Sequence, residues 1–249
     1  MRQWIHESRH ISVLTGAGIS TDSGIPDFSG TGGLWTADPG AERTATIGHY
    51  RADPELRRRE WTRRAADRRT AVPNPGHHAL VELERAGKLD TLITQNIDGL
   101  HLAAGTSPER LVEIHGNDRA AVCLECSTRL RIELVLERVC DGDTDPRCAW
   151  GDVLKSRAVS FGQDMDRAAL ARVDAAARRA ELFIAVGSSQ TVFPASGLVP
   201  VAAISARVVI VNGEATMMDE VADLVVRGSI SVILPQLVTG LSPERAAAS

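Results

Sequence analysis

One histidine in this sequence stands in a setting that suits general-base chemistry. His115 follows the apolar run at residues 111–114 and precedes Gly116. An imidazole needs little tuning to accept a proton near neutral pH, because its ordinary pKa already lies close to that range. A lone histidine is more often a hydrogen-bonded structural residue. The position alone therefore leaves both interpretations open.

A glycine-rich turn is the second feature with a chemical meaning. An apolar segment at residues 10–15 runs directly into Gly16-Ala17-Gly18. Glycines after a strand let the backbone approach a pyrophosphate, and a following helix start supplies free N–H donors. The third glycine of the dinucleotide fingerprint is replaced by Thr21, and no acidic residue ends a second strand about 20 residues on. These residues fit a phosphate loop and a plain strand-to-helix turn equally well.

Alternating strands and helices are predicted to position these residues. Each apolar run that we interpret as a strand ends in glycine or in a small polar residue, and helical stretches separate several of the runs. The predicted strands cover residues 10–15, 89–94, 182–186, 208–211 and 224–226, and the clearest helices cover 78–86 and 166–180. The pattern predicts an α/β fold, a Rossmann-like parallel sheet with helices on both faces, which binds ligands at the carboxyl ends of its strands.

Two segments break the alternation and are predicted to form a small inserted domain. Residues 30–75 would supply a helical module, and residues 119–152 hold all four cysteines in a zinc-ribbon-like module. The Rossmann-like domain would then comprise residues 1–29, 76–118 and 153–249. The Arg-rich run from Arg51 to Arg69 also contains acidic residues, so we interpret it as a solvated helix of mixed charge.

Composition excludes several classes of protein. The chain has 249 residues, a formal net charge of −4 and a hydrophobic fraction of 43%, as expected of an ordinary globular protein. No basic excess is present to offset phosphate charge, so we expect no nucleic-acid partner. The sequence contains no run of about 18 apolar residues, so it predicts no membrane-spanning helix. The N-terminus lacks an apolar signal core. We expect a cytoplasmic protein without a membrane partner, and a monomer.

Several motifs, taken in order, resemble those of the sirtuin family of NAD-dependent protein deacylases, in particular its bacterial members. They are the glycine turn and its extension over residues 16–28, Gln95-Asn96-Ile97-Asp98 with His101, Ile114-His115-Gly116, Gly187-Ser188-Ser189 and Val211-Asn212. The resemblance covers roughly residues 10–238. Motifs in the right order are a far stronger signal than any one of them.

The resemblance implies that NAD is consumed as a co-substrate. In the family, the carbonyl oxygen of an acyl-lysine attacks C1′ of the nicotinamide ribose and nicotinamide leaves. A ribose hydroxyl, deprotonated by a histidine, then attacks the resulting imidate, which gives free lysine and O-acyl-ADP-ribose. Carried over to this chain, the resemblance makes His115 the general base. Asp98 would hold the carboxamide, and Asn96 would orient a ribose hydroxyl or a water.

The resemblance also implies the residues that bind NAD and the peptide. Phe28 lies in the loop that covers the nicotinamide in the family, and Ser29 replaces the arginine that usually follows. Residues 159–162 resemble the segment to which a peptide adds as a strand while its acyl-lysine enters an apolar tunnel. A plain core strand is the other interpretation of that segment. The implied cofactor residues are Gly16, Ala17, Gly18, Ser20, Asp27, Phe28, Trp35, Gln95, Asn96, Ile97, Asp98, Gly187, Ser188, Ser189, Asn212, Gly213, Glu214 and Ile230.

The cysteines indicate a structural zinc site with an irregular second half. Cys123 and Cys126 form one Cys-x-x-Cys knuckle, and a tetrahedral site needs four ligands. Cys148 belongs to the second knuckle, but Trp150 stands about where its partner is expected. We take Cys140 as the fourth ligand. An aspartate, a histidine or water in that place, or a module that folds by apolar packing without metal, are the alternatives.

Acyl preference and two other functions stay open at this point. Family members that favour succinyl or malonyl groups carry Tyr and Arg three residues apart, and Trp61 and Arg64 occupy those places here. An uncharged acyl group is therefore favoured. Mono-ADP-ribosyl transfer and a non-catalytic NAD or ADP-ribose sensor are the alternative functions. Intact Asn96, Asp98 and His115 favour the deacylase.

Overall fold

The structure, a computed structural model, describes residues 1–27, 43, 45–66 and 71–242. Its strands are β1 (Ile11–Thr15), β2 (Leu89–Thr94), β3 (Leu111–Glu113), β4 (Ala120–Cys123), β5 (Arg129–Arg131), β6 (Leu154–Ser156), β7 (Leu182–Val186), β8 (Arg207–Val211) and β9 (Leu224–Val226). Its α-helices are α1 (Arg2–Glu7), α2 (Ile47–Ala52), α3 (Pro54–Ala66), α4 (Pro75–Arg85), α5 (Leu100–Ala104), α6 (Ile132–Cys140), α7 (Arg167–Arg179), α8 (Leu198–Ala202) and α9 (Ile230–Val238).

A six-stranded parallel sheet in the order β3-β2-β1-β7-β8-β9 forms the centre of the larger domain. Side chains alternate across each strand, so Val13 packs in one apolar cluster and Leu14 in the other. Helices α1, α4 and α9 pack on the first face, and α7 and α8 on the second. Burial on both faces explains why these strands read as continuous apolar runs, and it confirms the predicted Rossmann-like fold.

The smaller module combines segments that are distant in sequence. Strands β5, β4 and β6 form an antiparallel sheet in that order, so the sheet continues beyond residue 152, where the module was predicted to end. Helices α3 and α6 pack together beside this sheet. Trp61 of α3 lies in the same buried cluster as Ala121, Cys123 and Val135.

The Arg-rich run differs from the single solvated helix that its charges predict. Its described part, residues 51–66, comprises the end of α2 and the whole of α3, and one face of α3 is buried because Leu56, Arg57 and Trp61 point inward. The Arg57 guanidinium makes two hydrogen bonds to Asp145, at 2.8 and 3.0 Å, and also donates to the carbonyl of Tyr50 at 3.0 Å. The buried charge is thereby paired, which is the condition under which an arginine tolerates burial.

Among the described residues, no helix combines the length and the apolar composition that crossing a bilayer requires.

Candidate active site

The loops after the parallel strands line one large cleft at the carboxyl edge of the sheet, with a volume of about 1480 Å³. This is the edge at which open α/β sheets bind their ligands. Every described residue that was assigned from the sequence to the cofactor or to catalysis lines this cleft: Gly16, Ala17, Gly18, Ser20, Asp27, Gln95, Asn96, Ile97, Asp98, His115, Gly187, Ser188, Ser189, Asn212, Gly213, Glu214 and Ile230. Phe28, Ser29 and Trp35 lie outside the described residues.

The glycine turn after β1 packs directly against the turn after β7. The amide of Gly18 donates to the carbonyl of Gly187 at 2.8 Å. A Cβ on Gly16 would lie 2.7 Å from the Gly187 oxygen, and one on Gly187 would lie 2.5 Å from the nitrogen of Ile19. Gly187 also has a φ of +62°, which disfavours other residues. These glycines therefore let two neighbouring loops touch, a requirement that is independent of any ligand.

Hydrogen bonds to Ser20 connect Asn96 and Asp98 to the glycine turn. The Ser20 hydroxyl donates to the Asp98 carboxylate at 2.7 Å, and the Asn96 amide donates to the Ser20 oxygen and the Gly16 carbonyl, each at 3.2 Å. The backbone of Leu100 donates to the other Asp98 oxygen at 2.9 Å. The side chains of Asn96 and Asp98 are thus held in fixed directions at the wall of the cleft. The linking role of Ser20 is not visible in the sequence.

His115 follows β3 and is positioned by a backbone carbonyl. Its Nδ1 lies 3.2 Å from the carbonyl oxygen of Gln95, and a carbonyl can only accept, so Nδ1 carries the proton. Nε2 is then the nitrogen that can accept a proton. Burial lowers the pKa of His115 and the Gln95 carbonyl partly offsets that shift. The imidazole is therefore neutral at pH 7, as a general base requires.

Two further histidines lie behind this wall and are buried. His101 bonds the Thr15 hydroxyl at 2.9 Å, and its ring centroid is 5.0 Å from that of His77. Burial lowers the pKa of His77 to about 4 and that of His101 to about 3. The backbone of Asn74 donates to His77 in a capping box at the start of α4. Both histidines are therefore neutral at pH 7, and their hydrogen bonds hold the structure behind the wall.

Residues 159–162 run beside His115 at the mouth of the cleft. The Val159 amide donates to the His115 carbonyl at 2.8 Å, and the Phe161 amide donates to Ala45 at 2.8 Å. The Phe161 carbonyl accepts from Ile47, the first residue of α2, at 3.0 Å. Phe161 is 44% exposed and pairs with Thr46 in an isolated bridge that belongs to no strand, so the interpretation of this segment as a core strand is wrong.

The smaller module supplies a part of the cleft wall. Trp61 and Arg64, which the sequence singled out, line it together with Tyr50 and Lys155, which no sequence motif marks. The Lys155 ammonium donates to the carbonyl of Ser156 at 3.2 Å and to that of Ala158, just before the exposed segment. Burial lowers the pKa of Lys155 to about 8, and the neighbouring Arg64 adds to this effect. No local pattern marks Tyr50 and Lys155, because tertiary packing alone brings them to the cleft.

The cysteine module brings together a group of possible metal ligands. Atoms of Cys123, Cys126, Cys148 and Asp152 lie within 4.8 Å of one another. Three thiols with one carboxylate are a donor set that fits a structural zinc ion. Cys140, which we predicted as the fourth ligand, ends helix α6 with an exposed side chain and is not part of this group.

Comparison with known proteins gives a consistent result. The Sir2 family model matches residues 16–194. NAD-dependent protein deacetylase 2 of Streptomyces coelicolor is 45% identical over 234 residues, which are 93% of this chain and 97% of the relative. NAD-dependent protein deacylase 2 of Archaeoglobus fulgidus is 38% identical over 236 residues, covering 93% of this chain and 91% of the relative.

A solved structure resembles the whole chain. It is a Sir2 with a deacetylated p53 peptide and 3′-O-acetyl ADP ribose, and it superposes with a TM-score of 0.88 at 31% identity. The match covers 97% of this chain and 98% of the solved one. The small module as well as the Rossmann-like domain is therefore shared.

Proposed function

The chain belongs to the Sir2 family, and from this premise we propose that it removes acyl groups from protein lysines at the expense of NAD, with His115 as general base. NAD would supply the ribose that accepts the acyl group, and nicotinamide would leave. One observation carries the assignment of the base. His115 is neutral at pH 7, has Nε2 available to take a proton, and lines the same cleft as Asn96 and Asp98.

Asp98 and Asn96 have the chemistry to hold the nicotinamide end of NAD. Asp98 is oriented by Ser20 and by the Leu100 amide, and each carboxylate oxygen has lone pairs left to accept from a carboxamide NH₂. The Asn96 amide donates into the glycine turn, so its oxygen remains to accept from a ribose hydroxyl or a water. Both side chains are prepared before any ligand arrives, which reduces the entropic cost of positioning the reacting groups.

The segment at residues 159–162, which is exposed at Phe161 and Gly162, is suited to receive an extended peptide. Its backbone is tied to His115 on one side and to α2 on the other, so a peptide bound there would lie next to the base. Main-chain pairing with an exposed segment gives affinity without demanding one peptide sequence. This agrees with an enzyme that acts on acyl-lysine in a protein or peptide.

Nicotinamide release is the measurement that tests this function. We expect release from NAD to require an acetyl-lysine peptide and to yield free lysine and O-acetyl-ADP-ribose in equal amounts, with the same peptide lacking the acetyl group as the control. Release without any acyl peptide, together with ADP-ribose on an acceptor protein, would instead indicate a transferase. A folded protein that binds NAD but turns over no acyl peptide would contradict the proposal and favour a sensor.

The charges beside the cleft favour an uncharged acyl group. The Arg64 guanidinium donates to Glu60 and to the Ser156 hydroxyl, each at 3.0 Å, and pairs with Asp118 at 3.4 Å. The carboxylates of Glu60 and Asp118 therefore already neutralise the charge of Arg64. A succinyl carboxylate entering here would have to displace one of them, at the cost of leaving a partly buried charge without its partner. Trp61 is 1% exposed and lies in the apolar core of the module.

We expect kcat/KM to be at least about tenfold higher for an acetyl-lysine peptide than for the same peptide carrying succinyl-lysine. The Glu60→Gln variant removes one of the two carboxylates and should narrow that ratio by raising activity on the succinyl peptide. Equal activity of the unaltered enzyme on both peptides would contradict this proposal without affecting the assignment of His115.

A further inference from the structure

The cysteine module holds a group of donors whose spacing can be compared with that of a tetrahedral metal site. The Cys126 and Cys148 sulfurs lie 4.0 Å apart, and the Cys148 sulfur lies 3.8 Å from a carboxylate oxygen of Asp152. With Zn–S near 2.3 Å and Zn–O near 2.0–2.2 Å, adjacent donors of a tetrahedron stand about 3.5–3.8 Å apart. These two distances exceed the tetrahedral spacing by only a few tenths of an ångström, and all four donor atoms lie within 4.8 Å of one another.

Both halves of the group have the backbone turn of a metal knuckle. In the first half, the Cys123 sulfur accepts from the amides of Glu125 and Cys126, each at 3.4 Å. In the second half, the Cys148 sulfur accepts from the amide of Trp150 at 3.4 Å. Amides directed at a sulfur stabilise a thiolate, because charge strengthens the hydrogen bond. The second turn has therefore kept its shape although it lacks a second cysteine.

The chain reverses after Cys148 and returns Asp152 to the sulfur. The Gly151 amide donates to the Cys148 carbonyl at 3.0 Å, and the Cys148 amide donates to the Asp152 carbonyl at 2.9 Å. Gly151 has a φ of +88°, which allows the tight reversal. Trp150, which stands where a fourth ligand was expected from the sequence, is 81% exposed and directs its ring to solvent. The reversal thus places a carboxylate, rather than an aromatic ring, beside the thiols.

Apolar packing explains only part of this arrangement. Cys123 and Cys148 lie in the buried cluster around Trp61, where a cysteine can serve as a small apolar side chain. Cys126 is exposed and Asp152 is a carboxylate, so neither gains from packing against the other two. Binding of one cation by all four side chains would account for their convergence. Three thiolates select zinc over magnesium or calcium.

We propose that Asp152 is the fourth ligand of a zinc site whose other ligands are Cys123, Cys126 and Cys148, and that Cys140 takes no part in it. A carboxylate is a harder ligand than a thiolate, so the site binds zinc less tightly than a site of four thiolates. The proposal concerns the integrity of the module and does not depend on the reaction catalysed in the cleft.

Cobalt(II) provides the test, because its absorption reports both tetrahedral geometry and the number of bound thiolates. The full-length chain is stripped of metal with a chelator and titrated with Co²⁺, beside Asp152→Ala, Asp152→Cys and Cys140→Ala. We expect tetrahedral bands for the unaltered chain and an identical spectrum for Cys140→Ala. Asp152→Ala should bind at least about a hundredfold more weakly. Asp152→Cys should bind more tightly, with about one-third more sulfur-to-cobalt charge-transfer absorption, as a fourth thiolate requires.

The Asp152→Cys variant keeps the test decisive if Asp152→Ala fails to fold, which circular dichroism would reveal. An Asp152→Cys spectrum identical to that of the unaltered chain would overturn the proposal. Loss of cobalt binding in Cys140→Ala would assign the fourth position to Cys140. Absence of any tetrahedral spectrum in the unaltered chain would mean that the group binds no such metal, and would leave the proposed deacylase function untouched.

Discussion

We expect His115→Ala to lower kcat for deacetylation by about 10²- to 10⁴-fold, the usual contribution of a general base. The base acts after nicotinamide has left, so cleavage of NAD itself should suffer much less. Exchange of labelled nicotinamide into NAD in the presence of acetyl peptide measures that earlier step. A variant that loses exchange and deacetylation to the same extent would contradict the assigned role and indicate a defect in binding.

The pH profile gives a second measurement of the same residue. Burial lowers the pKa of His115 from its ordinary 6.5, and only the neutral imidazole can accept the proton. Activity should therefore be constant above neutral pH and fall as the pH drops below 6.5, because protonation removes the base. An acidic limb centred above 6.5, or one that persists in His115→Ala, would contradict the assignment.

Gly187→Ala should disrupt the fold of the cofactor site. The new Cβ would meet the Ile19 nitrogen at 2.5 Å and the Gly18 carbon at 2.7 Å, both of them backbone atoms, at a φ of +62°. Backbone cannot move aside as a side chain can, so the turns after β1 and β7 must separate. We expect the free energy of unfolding to fall by about 2–4 kcal/mol and NAD to bind at least about tenfold more weakly. Urea denaturation and calorimetric titration with NAD measure the two effects.

Gly48→Ala is the matched control. Gly48 lies in α2 without a left-handed φ, and a Cβ added to it would meet no atom within 4 Å. Alanine is the better helix former, so this variant should keep or slightly raise stability, by up to about 1 kcal/mol. If the two variants lost equal amounts of unfolding free energy, the effect of Gly187→Ala would not arise from the contact between the two turns.

The sheet could be predicted from the sequence because it is buried on both faces. Its strands are short, continuously apolar and followed by small polar residues, and the ends of parallel strands meet at one edge. Residues that follow a strand, such as Asn96 and Gly187, therefore lie at this edge and line the cleft. The turn after β1 follows a different rule, because its glycines are explained by contact with Gly187, which is distant in sequence.

Residues whose environment depends on packing between distant segments could not be predicted. Arg57 reads as one more exposed charge of an Arg-rich helix, but Asp145 and the end of α2 enclose it. Asp152 is one acidic residue among many, and only the reversal after Cys148 brings its carboxylate to the thiols. The same holds for Lys155, since its ammonium reaches the carbonyls of Ser156 and Ala158 only in the folded module.

Helix α2 contacts both the candidate peptide site and the metal knuckle. Its first residue, Ile47, donates to the carbonyl of Phe161, and Arg51 near its end bonds Glu125 and the carbonyl of Leu124 in the first knuckle. One short helix thus connects the two sites, and it can make their binding equilibria interdependent. Such coupling is reciprocal by thermodynamic necessity. Any factor by which the bound metal strengthens peptide affinity is the factor by which a bound peptide strengthens metal affinity.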